Sequence, residues 1–266
     1  MNKNYQVMGV LNVTPDSFSD GGKFKNTSDA LKQIEVMVSS GADIIDIGGE
    51  STRPGAKAIS SDEELSRIVP ILDAIDSNFG NIKISIDTYK AEVIHEVIKK
   101  NIWMINDISA LSDTKSIEYL SNKDIKVCLM HMQNKPINMQ VMPKYTDVID
   151  EIYNFFISRI KTCVDSGIDR NRICLDPGFG FGKNLRHNLT ILSKLGKFKE
   201  LNLPILVGIS RKSMLGDILQ KPVEERLFGG IAANVIAYTN GASIIRTHDV
   251  AATVDALKVC KEVSLI

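Results

Sequence analysis

Eight short runs rich in apolar and β-branched residues alternate with longer amphipathic stretches along the whole chain, and this alternation limits the possible folds most sharply. The runs are Gln6–Leu11, Ile44–Ile47, Lys83–Ile86, Trp103–Ile105, Lys126–Met130, Ile173–Leu175, Pro204–Val207 and Ser243–Ile245. Strands that alternate with helices build βαβ units, and βαβ units build parallel sheets. Most of the runs are nearly continuous in apolar residues, as strands covered on both faces must be. The chain has 266 residues, close to the roughly 250 that eight such units occupy in a closed barrel. The expected fold is therefore α/β, a (β/α)8 (TIM) barrel, with residues 1–266 as a single domain. No linker, low-complexity tract or charge run divides it.

The amphipathic stretches carry their own boundaries. Ser61 and Glu64 have capping-box spacing ahead of Leu65, Ile68, Val69, Leu72 and Ile75. Ser28 precedes Leu31, Ile34, Met37 and Val38 in the same manner, and 147–166 repeats Ile149, Ile152, Phe156, Ile160 and Val164 at helical period. Gly41-Ala42-Asp43-Ile44-Ile45 and Gly241-Ala242-Ser243-Ile244-Ile245 are matching helix-to-strand joints, with glycine where the chain turns left-handed after a helix.

Charge and cysteine usage exclude several classes. The 32 basic and 32 acidic residues cancel, so no net field favours nucleic acid or an anionic membrane as partner. The polar start Met1–Tyr5 leads into no signal-peptide pattern, and no run of about 18 apolar residues follows; the expected location is the cytoplasm. Cys128, Cys163, Cys174 and Cys260 are scattered without metal-ligand spacing, and Cys128 and Cys174 read as buried small hydrophobes.

Polar residues gather at one end of the runs. Asn12 follows the first, and Asp46 and Glu50-Ser51-Thr52-Arg53 close the second. Asp87, Asn106, Asp107, His131, Asp176, Ser210-Arg211-Lys212, Arg246 and His248 close the rest. Barrel enzymes assemble their sites at this C-terminal rim. Each residue also has a structural reading. Asp107 and Asp249 can cap the next helix, Asp46 can hold Arg53 or a loop backbone, Lys212 can be a solvated surface lysine, and His131 reads as a hydrogen-bonded core histidine. Convergence on one rim favours an enzyme site.

The residue types suggest three subsites. Gly21, Gly22, Gly48, Gly49 and Gly55 let loop backbone approach a ligand. Arg53, Arg246 and His248 supply phosphate donors, and Asn12 offers the neutral oxygen that suffices for magnesium shared with phosphate. Asp87, Asn106 and Asp176 suit a flat heterocycle with adjacent N–H donors, since buried they need partners. Ser210–Ser213, ahead of a helical run, suits a carboxylate. No nucleophile elbow, HExxH or GxGxxG after the first run is present, and Gly178–Gly182 fits no dinucleotide fingerprint.

At these positions the chain resembles the dihydropteroate synthase family. The matching segments are 9–22 (GVLNVTPDSFSDGG), 46–55 (DIGGESTRPG), 85–88 (SIDT), 105–107 (IND), 130–133 (MHMQ), 176–183 (DPGFGFGK), 208–213 (GISRKS) and 246–250 (RTHDV). Together they are highly specific and span the chain. The resemblance implies a (β/α)8 barrel enzyme of folate synthesis, with Mg2+ as cofactor. It would condense 6-hydroxymethyl-7,8-dihydropterin pyrophosphate with 4-aminobenzoate, giving 7,8-dihydropteroate and pyrophosphate. By motif position, Asp87, Asn106, Met130, Asp176, Phe181, Lys212 and Arg246 would bind pterin. Asn12, Arg53, Arg246 and His248 would hold pyrophosphate, with Asn12 on the metal. Thr52, Arg53, Pro54, Phe181, Ser210 and Lys212 would border aminobenzoate. Asn12, Asp87, Asp176, Lys212, Arg246 and His248 form the implied catalytic set. The family also implies a homodimer through helices late in the chain, and sulfonamides as inhibitors. Two positions depart from its pattern: Thr247, where a more hydrophobic residue is expected, and the loop at Asn134–Lys135.

A neutral aniline already presents its lone pair, so the implied substitution needs no general base and is expected to be dissociative, with ordered release of pyrophosphate. The loop Thr14–Lys25, long for a βα connection, is expected to close over the site. A corrinoid-dependent methyltransferase on the same pterin scaffold would share Asp87, Asn106 and Asp176 but has no need of Ser210–Ser213 or the Arg246/His248 pair. A silent pterin-binding protein would not be expected to keep Asn12, Asp16, Thr52 and Arg53.

Overall fold

The structure, a computed structural model, describes residues 4–13, 27–51, 56–79, 82–133, 139 and 143–263. Its eight strands are β1 (Gln6–Asn12), β2 (Ile44–Gly48), β3 (Lys83–Asp87), β4 (Met104–Asp107), β5 (Lys126–Met130), β6 (Ile173–Asp176), β7 (Leu206–Val207) and β8 (Ile244–Thr247). All pair in parallel, in the order β6-β5-β4-β3-β2-β1-β8-β7. The two ends of this sheet meet through a parallel bridge between Leu175 and Ile205, where the Leu175 N–H donates to the Pro204 carbonyl at 2.9 Å. The sheet thereby closes as a (β/α)8 barrel, as the alternating pattern predicts.

Helices alternate with the strands around the outside: α1 (Thr27–Ser39), α2 (Ser61–Asn78), α3 (Ala91–Val97), α4 (Thr114–Ser121), α5 (Val148–Asp165), α6 (Leu185–Ser193), α7 (Ser213–Leu219), α8 (Leu227–Thr239) and α9 (Val250–Val263). The cap of α2 is Ser60, one residue before the expected Ser61; its hydroxyl accepts from the Glu63 N–H at 3.1 Å. Glu64 is thereby freed from capping and turns inward to Lys90 at 2.7 Å. Asp147 caps α5, accepting from Ile149 and Asp150. The buried stripe of α5 continues through Cys163 and leaves Val164 exposed, against the sequence pattern. Gly41 and Gly241 take φ of +96° and +106°, as their joints require.

Period two within each strand separates two cores. One phase carries Val7, Ile45, Ile84, Ile105, Val127, Leu175 and Ile245 outward against helix residues such as Ile34, Ile68, Ile94, Phe156 and Leu257. The other phase fills the barrel axis with a smaller cluster of Met8, Ile44, Met104, Cys128, Cys174, Leu206 and Ile244. One step further along that second phase the lumen becomes polar, at Asp46, Ser85, Asn106, Asp176 and Arg246, and then at Asn12 and Asp87. Six strands run one or two residues past the apolar runs, and five of them thereby take polar residues into the ladder, Asn12, Asp87, Asn106, Asp176 and Arg246 among them. Hydrophobicity ends before the strand does, and Asp46, Asp87, Asn106 and Arg246 pair with one another across the lumen.

Thr247 is fully buried. Its hydroxyl accepts from the Asp249 N–H at 3.1 Å and lies 3.2 Å from the Thr253 hydroxyl, so a polar residue is satisfied where an apolar one was expected. The cysteines are all free thiols. Among the described residues no helix is long and apolar enough to cross a membrane.

Candidate active site

The polar layer above the apolar plug is joined by charge-assisted hydrogen bonds. Arg246 on β8 donates from Nε to Asp46 Oδ2 on β2 at 2.6 Å and from Nη2 to Asp87 Oδ2 on β3 at 2.9 Å. Asn106 on β4 donates from Nδ2 to the same Asp46 oxygen at 3.2 Å. Asp46 therefore holds Arg246 and Asn106; Arg53, the partner that its sequence position also allowed, lies outside the described residues. Burial pushes the Asp87 carboxyl up to about 7. Attraction to Arg246 opposes this, but Arg246 is shared with Asp46, whose own charge works in the same direction as burial. Burial would lower the pKa of Arg246; the two carboxylates more than offset it, so the guanidinium stays charged.

Asp176 closes β6 opposite Met130, the last residue of β5. Burial raises its pKa; the charge of Lys212 and the Gly178 N–H, which donates at 2.7 Å, work against that rise. Lys212 is no solvated surface lysine. Its ammonium donates to the Phe179 carbonyl and stands 4.6 Å from the centre of the Phe181 ring. Burial brings it down to about 8, opposed by Asp176. At β8, the Ser210 hydroxyl lies 3.2 Å from both the backbone nitrogen and Nδ1 of His248. Arg211 holds a left-handed backbone at φ +62° and pairs with Asp249 at 2.7 Å. Asp249 is thus an ion-pair partner as well as the residue before α9.

The loop after β6 is tied down by a group that sequence reasoning left without a role. Lys183 is buried, and its Nζ donates to the carbonyls of Gly178 (2.9 Å), Phe181 (2.9 Å) and His131 (3.1 Å). It also lies 3.1 Å from His131 Nδ1. Burial lowers the Lys183 pKa well below its ordinary value and takes His131 down to about 3, with the Lys183 charge contributing. The loop packs against the β5 end so closely that a Cβ on Gly178, at φ +68°, would stand 2.0 Å from the His131 carbonyl oxygen. Only glycine fits there.

A second buried network lies below the β2 rim. Lys90 Nζ bridges Glu50 at 2.6 Å and Glu64 at 2.7 Å, and Arg67 donates to the Gly49 carbonyl at 2.7 Å. These partners are far apart in sequence, and no local pattern connects them. Asp107 accepts from the Ser109 and Leu111 N–H groups at 2.6 and 2.9 Å. It supports a turn in which Ala110 and Leu111 have positive φ; the helix cap that its sequence position also allowed is taken by Asp113, which accepts from the Lys115 N–H at 2.9 Å.

The structure thus brings together Asn12, Asp87, Asn106, Met130, Asp176, Phe181, Ser210, Lys212, Arg246 and His248 at one mouth of the barrel. Thr52, Arg53, Pro54 and the loop Thr14–Lys25 lie outside the described residues, as does Asn134–Lys135. Asn12 and Asp87 flank Gly48, where a Cβ would stand 3.7 Å from Asn12 Oδ1 and 3.5 Å from Asp87 Cβ. The bare glycine leaves room beside a neutral oxygen donor, and that suits a hard cation that keeps most of its waters. Among the described residues no cluster of three His, Cys, Asp or Glu side chains offers an alternative metal cage.

Known proteins share the sequence and the fold of this chain. A family of pterin binding enzymes matches residues 8–248. Dihydropteroate synthase of Escherichia coli K12 is 51% identical over 253 residues, covering 95% of this chain and 89% of the relative. A crystal structure of the Yersinia pestis dihydropteroate synthase in a sulfonamide drug complex superposes with a TM-score of 0.95 at 48% identity, covering 99% of this chain and 95% of that one. The Xanthomonas albilineans dihydropteroate synthase with 4-aminobenzoic acid superposes with a TM-score of 0.93 at 40% identity, covering 99% and 94%. The chain therefore belongs to the dihydropteroate synthase family of pterin-binding enzymes, which are transferases.

Proposed function

We propose that the protein joins 6-hydroxymethyl-7,8-dihydropterin pyrophosphate to 4-aminobenzoate, forming 7,8-dihydropteroate and pyrophosphate. The observation that carries this reading is the lumen layer itself. Asp87 and Asp176 are carboxylates whose burial raises their pKa, beside an Asn106 amide whose Nδ2 already faces Asp46. That leaves three acceptors for the N–H edge of a pterin, and desolvated acceptors gain most from such donors. Met130 and Phe181 would form the walls, and the Lys212 ammonium would donate to a ring acceptor.

The pyrophosphate would face Arg246, His248 and, from the second loop, Arg53. Asn12 would hold Mg2+, which when bound would share the charge of the departing group. Arg246 lends two further functions to this site: its Nη edge faces the slot, and it is held charged by two carboxylates. As the carbon–oxygen bond lengthens, the methylene cation would spread into the ring between Asp87 and Asp176, whose negative charge stabilises it. The amine of aminobenzoate attacks with its own lone pair and releases its proton to water. Its carboxylate would be received near Ser210, with Thr52, Arg53, Pro54, Phe181 and Lys212 bordering the ring.

A homodimer accompanies this reading. α8, LFGGIAANVIAYT, is apolar nearly all round, and a helix of that kind is normally covered. Phe228 is nevertheless 81% exposed, with Ile218, Val223 and Ile236 exposed nearby in sequence. A second copy would cover them.

The mechanism is tested by omitting aminobenzoate. Slow formation of 6-hydroxymethyl-dihydropterin and pyrophosphate, dependent on Mg2+ and abolished by a chelator, is expected from a methylene cation trapped by water. Reaction with inversion at an isotopically chiral methylene, no such leakage and no response to chelator would contradict it.

A further inference from the structure

We propose that Asp46 is the positioning residue of the polar lumen. By holding Arg246 Nε and Asn106 Nδ2 on one oxygen, it sets the faces that both present to a bound pterin, and it retains Arg246 when the ligand takes Asp87 from it. The inference rests on the pterin reading above, to which it adds a residue that makes no contact with the ligand.

Asp46 is fully buried at the centre of β2. A carboxylate accepts and cannot donate, so the Asn106 amide nitrogen must face it and the amide oxygen must face away, toward the slot. That is the orientation a ligand with N–H donors needs. On the other side Asp46 takes the Nε of Arg246, leaving the two Nη nitrogens to point across the lumen, where Nη2 meets Asp87. Asp87 therefore has an internal partner that a pterin must replace. If Asp87 alone held the guanidinium, its loss to the ligand would release Arg246 altogether. With Nε fixed by Asp46, only the Nη edge changes partner, and it is then free for the leaving group. Filling the heterocycle slot would in this way arm the arginine beside the pyrophosphate.

Asp46 Oδ1 accepts from none of the described residues. In an Asp46→Asn variant the amide nitrogen can stand at that position while the amide oxygen keeps both present donors. The shape is retained and only the charge is lost.

The test combines an activity cycle with a spectroscopic readout. In the unmodified background Asp46→Asn is expected to lower kcat/KM for the pterin pyrophosphate about 30-fold, leaving KM for aminobenzoate within twofold and Tm unchanged or higher. In an Arg246→Lys background, where the forked contact is already gone, the same substitution should cost less than threefold. By 15N NMR, the Arg246 Nε–H resonance, assigned by its loss in Arg246→Lys, should be protected from solvent exchange with and without 6-hydroxymethylpterin. It should stay protected in Asp46→Asn, which keeps the acceptor, and should lose that protection in Asp46→Ser, whose shorter side chain does not reach Nε. Additive losses in the two backgrounds, or Nε–H protection that survives Asp46→Ser, would overturn the proposal. So would failure of both Asp46→Asn and Asp46→Ser to fold, which would make Asp46 a residue of stability. If 6-hydroxymethylpterin shifts no resonance of the unmodified protein, the pterin reading fails, while the dependence of Nε–H protection on Asp46 is still decided by the ligand-free spectra.

Discussion

Lowering the pH through 7 should weaken pterin binding steeply, and the reason is the Asp87 carboxyl. Burial, with Asp46 beside it, pushes this group up to about 7 against the pull of Arg246. A pterin edge presents N–H donors, which a protonated carboxyl receives less well than a carboxylate. Protons therefore compete with the ligand on the acid side. Because the pKa is raised, affinity should fall as pH falls through about 7, and not near 4 where an ordinary aspartate titrates. One pH unit corresponds to about 1.4 kcal/mol, a factor of ten. The expected loss from pH 8 is about tenfold at pH 6 and about a hundredfold at pH 5. Fluorescence titration with 6-hydroxymethylpterin at each pH measures it. Asp87→Asn should bind weakly at every pH and show little slope over this range. A dissociation constant flat from pH 8 to pH 5 in the unmodified protein, or a break near pH 4, would refute this reasoning.

Three further substitutions address the scaffold. Gly178→Ala places a Cβ 2.0 Å from a backbone carbonyl at positive φ; the left-handed backbone alone costs about 1–2 kcal/mol, so a total loss above about 3 kcal/mol is expected in urea denaturation, and a loss below about 1 would contradict the packing. Lys183→Met leaves three carbonyls without their donor, at about 1 kcal/mol each. Relief from burying an ammonium offsets part of this, so the melting temperature should drop modestly while kcat/KM falls more than tenfold; intact turnover would show that the loop does not depend on this tether. Phe228→Arg should convert a dimer to a monomer in sedimentation velocity, and an unchanged sedimentation coefficient would place the interface elsewhere.

The barrel is legible in the sequence because both faces of its strands are buried: apolar residues fill most of their length, and eight such runs separated by helices leave little choice. The strand ends are less legible for a related reason. Asn12, Asp87, Asn106, Asp176 and Arg246 interrupt the apolar pattern where the runs stop, yet the backbone ladder continues through them, and Asp87, Asn106 and Arg246 are tied into one network across the lumen. The same residues mark the rim, so the site is visible as a set. Its wiring is not. Asp46 and Arg246 are joined across 200 positions, and Lys90 reaches Glu50 and Glu64 across 40 and 26; no local spacing encodes such contacts. Lys183 is hidden in another way. A lysine in a glycine-rich loop reads as solvated, and only the closed loop shows three carbonyls converging on its ammonium. The cap of α2 at Ser60 rather than Ser61 is a choice between adjacent serines, and it leaves Glu64 free to pair with Lys90.

Pyrophosphate release by the purified protein tests most directly that this strand-end constellation is a synthase site. Dihydropterin pyrophosphate, Mg2+ and the protein would be assayed with and without 4-aminobenzoate, beside a Lys212→Ala variant. The expected result is release that is strongly stimulated by aminobenzoate, matched mole for mole by dihydropteroate and largely lost in the variant. Pterin binding without release, or release that ignores aminobenzoate and yields no dihydropteroate, would contradict it.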